Sequence, residues 1–359
     1  MTKSLSGKLG YGIIGTGSMG PQHMEGVVRS HNSELRAICD VLKENVGSAA
    51  RKYGMALQNC YVDYREMLVR DDIDVVIVST PDQLHKEHTI LSLEAGKHVL
   101  CEKPMALTVE ECRHMVEASK RYGKKLMVGQ ICRYAPGFVM AKKLIEDGQI
   151  GTLFFVESEY AHDYSHVQGV GNWRLDPVKL RHPVIGGGCH AVDLLRWIAG
   201  NPYEVIAYAS GKVLKSWPVS DCTIAMLRFP DGVLGKVFVS VGCKRSYTMR
   251  SVFYGDKGTI IADNTTPYIS LYKENIADEY KLFQGKYPGV MEQRIALQLP
   301  VKIESHNTYA EVNEFSQIIL DGKPVITDGL EGASTVAVCC AIVDSAGKDG
   351  EKVKVNYDL

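Results

Sequence analysis

Two kinds of hydrophobic spacing divide the chain. Up to residue 129, short continuous apolar runs alternate with stretches in which apolar positions recur every three or four residues, the spacing of buried strands interleaved with amphipathic helices. Apolar residues at 11–14 lead into a glycine-rich turn and a helix over 22–28. A second strand-like run at 35–39 is followed by helical spacing over 42–53 that stops at Gly54. Asp63, with Glu66 three residues on, predicts a capping box for a short helix. The β-branched run at 74–79 is that of a parallel strand buried on both faces. A helix over 84–95 ending at Gly96, a strand at 98–101, a helix over 108–122 capped by Thr108 with Glu111 at its third position, and a strand at 126–129 complete the alternation. It predicts a doubly wound parallel sheet.

Past Gln130 the spacing changes. A helix is expected over 137–147, a strand over 152–160, and then a polar, aromatic loop over 162–181. A helix over 189–198, stopped by Gly200 and Pro202, precedes strand-like runs at 204–213, 222–229, 233–241, 250–254, 259–262 and 268–272. Turn signals separate these runs, as at Pro230-Asp231-Gly232 and Gly255 to Gly258. Residues 278–305 read as irregular, 307–320 and 329–346 as amphipathic helices with Gly322 and Pro324 between them, and 352–355 as a last short strand. The apolar face at 337–343 is expected to pack on one of two sheets. The fold class is therefore α/β, a dinucleotide-type domain over 1–129 joined to an α+β domain over 130–359 with an open, mainly antiparallel sheet. One face of that sheet lacks covering helices, which makes it the expected contact of a homo-oligomer, a dimer or tetramer.

Composition narrows the function without choosing it. The 359 residues are 45% hydrophobic and 23% charged with a net charge of −1, the make-up of a soluble globular protein with no field to draw in nucleic acid or anionic lipid. The N-terminus reads as neither signal peptide nor membrane span, and no uncharged run elsewhere is long enough to cross a bilayer. Ten cysteines are scattered without C-x-x-C spacing, which fits reduced, buried thiols in the cytoplasm. Neither they nor the histidines have the spacing of zinc or iron ligands.

Gly15, Gly17 and Gly20 form a G-x-G-x-x-G pattern between strand and helix. The first glycine permits the sharp turn, the second admits a pyrophosphate to the backbone, and the third lets the helix pack close. With Thr16, Ser18 and Met19 this loop is the expected anion cradle at a helix N-terminus. Asp40 ends the second strand, where a carboxylate accepts from ribose hydroxyls and repels a 2′-phosphate, so NAD is preferred over NADP, Lys43 notwithstanding. Lys103 lies at the carboxyl end of a strand, where open α/β sheets hold ligands, and its ammonium can stabilise a developing alkoxide. Pro104 stiffens that turn. His190 follows Gly186-Gly187-Gly188-Cys189 at a helix start and is the strongest candidate for a group titrating near neutrality, with Asp193 one turn on to orient it. In the 162–181 loop, Trp173 offers an apolar face for a sugar ring, and the arginines and histidines offer donors to its hydroxyls.

The glycine pattern, the acid after the second strand, Ser79-Thr80-Pro81 with His85, and Glu102-Lys103-Pro104 together resemble the Gfo/Idh/MocA oxidoreductases. The likeness runs on through Gln130 to Pro136, Trp173-Arg174 and His190 to Trp197, nearly the whole chain. It implies a Rossmann domain with Thr80, Pro81, His85, Glu102, Lys103, Gln130, Trp173 and Arg174 on the cofactor, and Lys103 and His190 as catalytic groups. Many relatives carry an aspartate four residues before that histidine, where this chain has Gly186. Asp193, Asp176, His182 or a group from the segment Tyr160 to Tyr164 is left to replace it. Arg133, Tyr160, His162, Trp173, Asp176 and His182 join Lys103 and His190 as candidate substrate contacts. The reading is a cytoplasmic NAD-dependent dehydrogenase for a secondary hydroxyl of a sugar, sugar derivative or cyclitol. Its alternatives are an NAD-dependent glycoside hydrolase working through transient oxidation and a non-catalytic dinucleotide sensor.

Overall fold

The computed structural model describes residues 7–167, 169–176, 181–273, 296–304 and 306–359. The first sheet is assembled from β1 (Leu9–Ile14), α1 (Gly20–Arg29), β2 (Ser33–Cys39), α2 (Lys43–Tyr53), β3 (Cys60–Tyr61), α3 (Tyr64–Leu68), β4 (Val75–Val78), α4 (His85–Glu94), β5 (His98–Glu102), α5 (Val109–Tyr122) and β6 (Leu126–Gly129). Its strands run parallel in the order β3-β2-β1-β4-β5-β6. All residues of β1 and β4 are buried, as a sheet covered on both faces requires. Chain order reverses between β1 and β4, which opens a crevice at their carboxyl ends.

Local signals act mostly as expected. Thr108 caps α5 by accepting from the Glu111 amide at 3.2 Å, and Gly123 ends it in the left-handed region at φ 62°. Asp63 caps α3 through the Arg65 amide, not that of Glu66. The two-residue strand β3 escapes the hydrophobic pattern because it is too short to show a period.

The second sheet follows α6 (Pro136–Glu146) and comprises β7 (Leu153–Ala161), then, after α7 (Pro183–Gly186) and α8 (Cys189–Ala199), β8 (Glu204–Ser210), β9 (Cys222–Arg228), β10 (Leu234–Ser240), β11 (Thr248–Gly255), β12 (Gly258–Asp263), β13 (Tyr268–Lys273) and β14 (Leu297–Pro300). Helices α9 (Thr308–Asp321) and α10 (Gly329–Gly347) precede β15 (Val353–Lys354), which returns to the edge of this sheet. The order is β14-β13-β12-β11-β7-β10-β9-β8-β15, antiparallel except for the parallel pair β7–β10. Part of the stretch expected to be irregular, 278–305, lies outside the described residues, and β14 corrects another part of it. The 162–181 stretch carries two 3-10 turns, Tyr164–His166 and Val170–Leu175, in place of an open loop.

The two C-terminal helices close both halves. Helix α9 lies on α1, with Thr308 Oγ1 donating to the Gln22 carbonyl at 2.9 Å, and its Val312 and Phe315 join Tyr11, Ile13 and Met24 in the first core. Helix α10 straddles the sheets. Its Ala333 and Val336 pack with the first, and its Val338, Cys339, Ala341 and Ile342 pack with the second. The expected contact with one sheet is thus a contact with both. This explains why the helix is apolar nearly all round: its length and composition would allow a membrane span, yet most of its residues are buried inside the protein.

One ion network ties these parts together. Arg133, just beyond β6, donates from Nε and Nη2 to the two carboxylate oxygens of Asp193 in α8, at 2.8 and 2.7 Å, and from Nη2 to Glu331 in α10 at 2.8 Å. Thr335 Oγ1 donates to Asp193 at 3.0 Å, and Arg196 Nη1 donates to Thr335 Oγ1 at 2.7 Å. The Arg133 and Asp193 side chains are 5% and 1% exposed, so removing either leaves a buried charge without its partner. Asp193→Ala is expected to cost about 3–5 kcal/mol of unfolding free energy in urea titrations. The apolar pair Arg133→Met with Asp193→Leu is expected to recover most of it. A single-variant loss under about 1 kcal/mol would refute the assignment.

Candidate active site

The carboxyl edge of the first sheet begins with the glycine turn. Gly15 has φ +94°, and a Cβ there would lie 2.6 Å from the Ser79 carbonyl oxygen; one at Gly20 would lie 2.3 Å from the Gly15 oxygen. Only glycine fits these two points, and Ser79 Oγ fastens the turn to β4 by donating to the Gly15 oxygen at 2.7 Å. Thr16 is buried, whereas Gly17, Ser18 and Met19 lie at the surface ahead of α1. Asp40 stands beside them, accepting the Thr16 amide at 2.8 Å and the Leu42 amide at 2.9 Å. Backbone that a Cβ would block, a helix N-terminus and an adjacent carboxylate together suit a dinucleotide. Gln130, at the end of β6, adds a buried side-chain oxygen with no hydrogen-bond partner among the described residues.

Two expected cofactor contacts are committed elsewhere. Glu102 forms a buried pair with His23 of α1 at 2.6 Å and accepts the Lys103 amide at 3.1 Å. Burial alone would raise its pKa, but His23, Lys103 and His85 outweigh burial and hold it down to about 2. His85 bridges two turns of the edge, Nε2 to the Thr80 carbonyl at 3.0 Å and Nδ1 to the Pro104 carbonyl at 2.8 Å. Carbonyl oxygens only accept, so both ring nitrogens must donate and the ring is an imidazolium. Glu102 and His85 therefore place Lys103, Thr80 and Pro81.

From the second half, Lys103 meets α7, its Nζ donating to the Gly186 carbonyl at 3.3 Å. His190 sits in the first turn of α8, 2% exposed, its ring 6.3 Å from that of Tyr160 and 6.1 Å from that of His306. Burial, then the charge of Lys103, then His306 keep it well below the usual histidine pKa, so the ring is neutral. Among the described residues its Nδ1 has no hydrogen-bond partner. Asp193 does not orient this ring as expected, because a buried carboxylate is better satisfied by the fork of Arg133 than by a neutral imidazole. By the same pairing Arg133 is a structural residue, not a substrate contact.

Tyr160 is bonded to Tyr164 at 2.8 Å and to His162 at 3.3 Å, hydroxyl to hydroxyl and hydroxyl to Nδ1. Tyr247 and His306, which no local pattern marks, stack at 5.8 Å against the same group. His182 is a cap, its Nδ1 accepting the Val184 amide at 3.2 Å, and burial lowers its pKa to about 4. The Asp176 amide closes the second 3-10 turn on the Trp173 carbonyl at 3.3 Å. Two guanidiniums, Arg174 and Arg181, each lie over the Trp173 ring at 5.0 Å from its centroid. Arg181, also unmarked in the sequence, pairs with Asp82 at the end of the Thr80-Pro81 turn. A Cβ at Gly186 would lie 2.3 Å from Arg181 Nε. The space that the resemblance assigns to an aspartate side chain is filled here by that guanidinium. Among the described residues, no cluster of three or more histidines, cysteines or acids is placed to hold a metal.

Residues 9–130 match the model of an oxidoreductase family with an NAD-binding Rossmann fold, and residues 138–261 match the C-terminal domain model of the same GFO/IDH/MocA family. The chain belongs to the Gfo/Idh/MocA oxidoreductases. Within this family it is 26% identical over 250 residues to an inositol 2-dehydrogenase of Salmonella typhimurium, covering 69% of this chain and 71% of that one. It is 29% identical over 254 residues to an inositol 2-dehydrogenase/D-chiro-inositol 3-dehydrogenase of Halalkalibacterium halodurans, covering 70% of each. Among solved structures it is similar to a levoglucosan dehydrogenase in complex with NADH, with a TM-score of 0.82, 26% identity and 97% and 99% of the two chains covered. The aldose-aldose oxidoreductase of Caulobacter crescentus, complexed with glycerol, aligns with the same TM-score of 0.82, 26% identity and coverage of 97% and 99%.

The His85 clamp has a testable pH signature. Burial opposes its charge, but the Cys101 sulfur, Asp82 and the Pro104 carbonyl outweigh burial and raise its pKa from 6.5 to about 9. A raised pKa means the contribution to stability is complete below about 6.5 and is lost as pH climbs through about 9. Urea midpoints of the wild type are expected to fall across that window and those of His85→Leu to stay flatter. Parallel curves for the two proteins would refute the charged clamp.

Proposed function

We propose that this protein is an NAD-dependent dehydrogenase that oxidises a secondary hydroxyl of a sugar, sugar derivative or cyclitol. The observation that carries the reading is the convergence of Lys103, from the edge of the first sheet, with α7 and α8 of the second half, next to the neutral ring of His190. The glycine turn would hold the pyrophosphate, and Asp40 the adenosine ribose, where its charge disfavours a 2′-phosphate. NAD, when bound, supplies the hydride acceptor. Lys103 would donate to the oxygen on the reacting carbon and stabilise negative charge as it develops there. His190 would take the hydroxyl proton. Relatives named as inositol 2-dehydrogenases, and a solved relative named as a levoglucosan dehydrogenase in complex with NADH, support this substrate class and cofactor.

The test is formation of reduced nicotinamide across a panel of inositols, aldoses, sugar acids and glycosides. Lys103→Ala and His190→Ala are each expected to lower kcat by about 10²–10⁴-fold, while NAD binding of His190→Ala, followed by fluorescence quenching, stays near wild type. Turnover near wild type in both variants would refute the assignment.

The ten free thiols support a reducing cytoplasm. The uncovered face of the second sheet supports a homo-oligomer. Along β9 the side chains alternate, with Ala225 and Leu227 buried while Ile224 and Met226 are 45% and 57% exposed. Tyr208 of β8 lies across from Ile224. Light scattering is expected to give a dimer or tetramer for the wild type and a smaller species for Met226→Asp with Tyr208→Lys. A wild-type monomer at micromolar concentration would refute the interface.

A further inference from the structure

Two histidines one turn apart on α4 hold the same residue by different atoms. His85 Nε2 meets the Thr80 carbonyl at 3.0 Å, and His88 Nδ1 meets the Thr80 hydroxyl at 3.1 Å. The His88 ring is itself braced. Tyr64 packs edge-on against it with ring centroids 4.5 Å apart, Tyr64 Oη donates to Glu87 at 2.6 Å, and the Arg65 guanidinium lies over the Tyr64 ring at 4.6 Å. His88 is 7% exposed, so little water competes for its bond to Thr80. Thr80 stands between the two ends of the candidate cofactor site. A Cβ at Gly15 would lie 2.9 Å from the Thr80 amide nitrogen, and His85 joins the Thr80 carbonyl to that of Pro104, the residue after Lys103. The glycine turn is thus on one side of Thr80 and the Lys103 turn on the other.

The two rings differ in charge. His85 has both nitrogens on carbonyl oxygens and is an imidazolium, so a second cation one turn along the helix would be repelled as well as desolvated. Burial lowers the His88 pKa to about 4, with Glu87 opposing it and His85 and Arg65 adding to it. A neutral imidazole has one donor and one acceptor nitrogen. With the proton on Nε2, the usual tautomer, Nδ1 accepts and the Thr80 hydroxyl must donate to it. The Thr80 proton is then committed to the protein, and Oγ1 has only lone pairs left to offer. Threonine is β-branched with few staggered χ1 positions, so fixing Oγ1 fixes the whole side chain.

We propose that His88 is a positioning residue for the cofactor: it accepts the Thr80 hydroxyl bond, so that Thr80 Oγ1 receives a hydrogen-bond donor of the nicotinamide riboside, either a ribose hydroxyl or the carboxamide N–H. This rests on the NAD-dependent reading and adds to it a residue that acts through Thr80. Without His88 the Thr80 hydroxyl is free to turn, and its oxygen is no longer held ready for a donor.

The test is a double-mutant cycle on NAD binding, followed by fluorescence quenching in His88→Leu, Thr80→Val and the double variant. Each single change is expected to raise Kd by about fivefold to tenfold, the worth of one hydrogen bond, and the double variant to match the singles because both remove the same bond. ADP, which lacks the nicotinamide riboside, is expected to bind all four proteins alike. His88→Asn, which offers an amide oxygen where Nδ1 stood, is expected to bind NAD within about twofold of the wild type, and it serves if His88→Leu does not fold. NMR of the histidine ring nitrogens in the wild type without cofactor is expected to show His88 neutral with its proton on Nε2, and its Nδ1 resonance to move in Thr80→Val. The acetylpyridine analogue of NAD has no carboxamide N–H and separates the two donors. A greater penalty on NAD than on the analogue in Thr80→Val assigns the donor to the carboxamide, an equal penalty assigns it to the ribose, and either upholds the proposal. Additive effects of the two changes, an unchanged Kd in His88→Leu, equal weakening of ADP, or a proton on His88 Nδ1 would overturn it while leaving the cofactor reading in place. A wild type that binds no NAD would overturn both.

Discussion

The bidentate pair between Arg133 and Asp193 sets the geometry on which the active site depends. Lys103 belongs to the first sheet and His190 to a helix on the second, so no local interaction brings them together. Arg133 leaves the last parallel strand and grips α8 three residues beyond His190, and Glu331 and Thr335 of α10 complete the network. Because the charges are dry, the pair tolerates little displacement, and its rigidity passes to the two groups assigned to proton and oxygen chemistry.

A second layer holds each turn of the ligand edge at a fixed height. Ser79 ties β4 to the glycine turn, His85 ties the Thr80 turn to the Lys103 turn, and His23 with Glu102 anchors the base of Lys103 from α1. Each uses a buried hydrogen bond to backbone or to a charge, so the flexible lysine stem emerges from a stiff base. Among the described residues, His190 Nδ1, Gln130 Oε1 and Arg174 Nε have no hydrogen-bond partner, and neither has His23 Nδ1 behind the site.

The first half of the fold was legible because its instructions are local. A glycine that needs φ +94° and an acid at a strand end act within a few residues of themselves, and a continuous apolar run names a buried strand. The second half was legible in outline through period-two alternation, but β14 and the parallel neighbour of β7 depend on pairing partners distant in sequence. The misread site residues share one cause. Arg133, Asp193, His85, Glu102 and His182 have the chemistry of ligand contacts, and only the folded neighbourhood shows that another protein group has taken their hydrogen bonds. Arg181 and Asp82, ninety-nine residues apart, show the converse, since neither has a local signal and their meeting fills the space above Gly186.

Helix α10 bears on how the polypeptide is made. It follows β6 by about two hundred residues, yet it supplies packing for β6 and α5 as well as for the second sheet, and α9 just before it covers α1. On the ribosome, the dinucleotide half emerges long before the helices that complete its cores, so its apolar flank stays bare for most of synthesis. Vectorial folding of this chain is therefore incomplete until α10 has been made, and the N-terminal third is not a cassette that recombination could lift out intact.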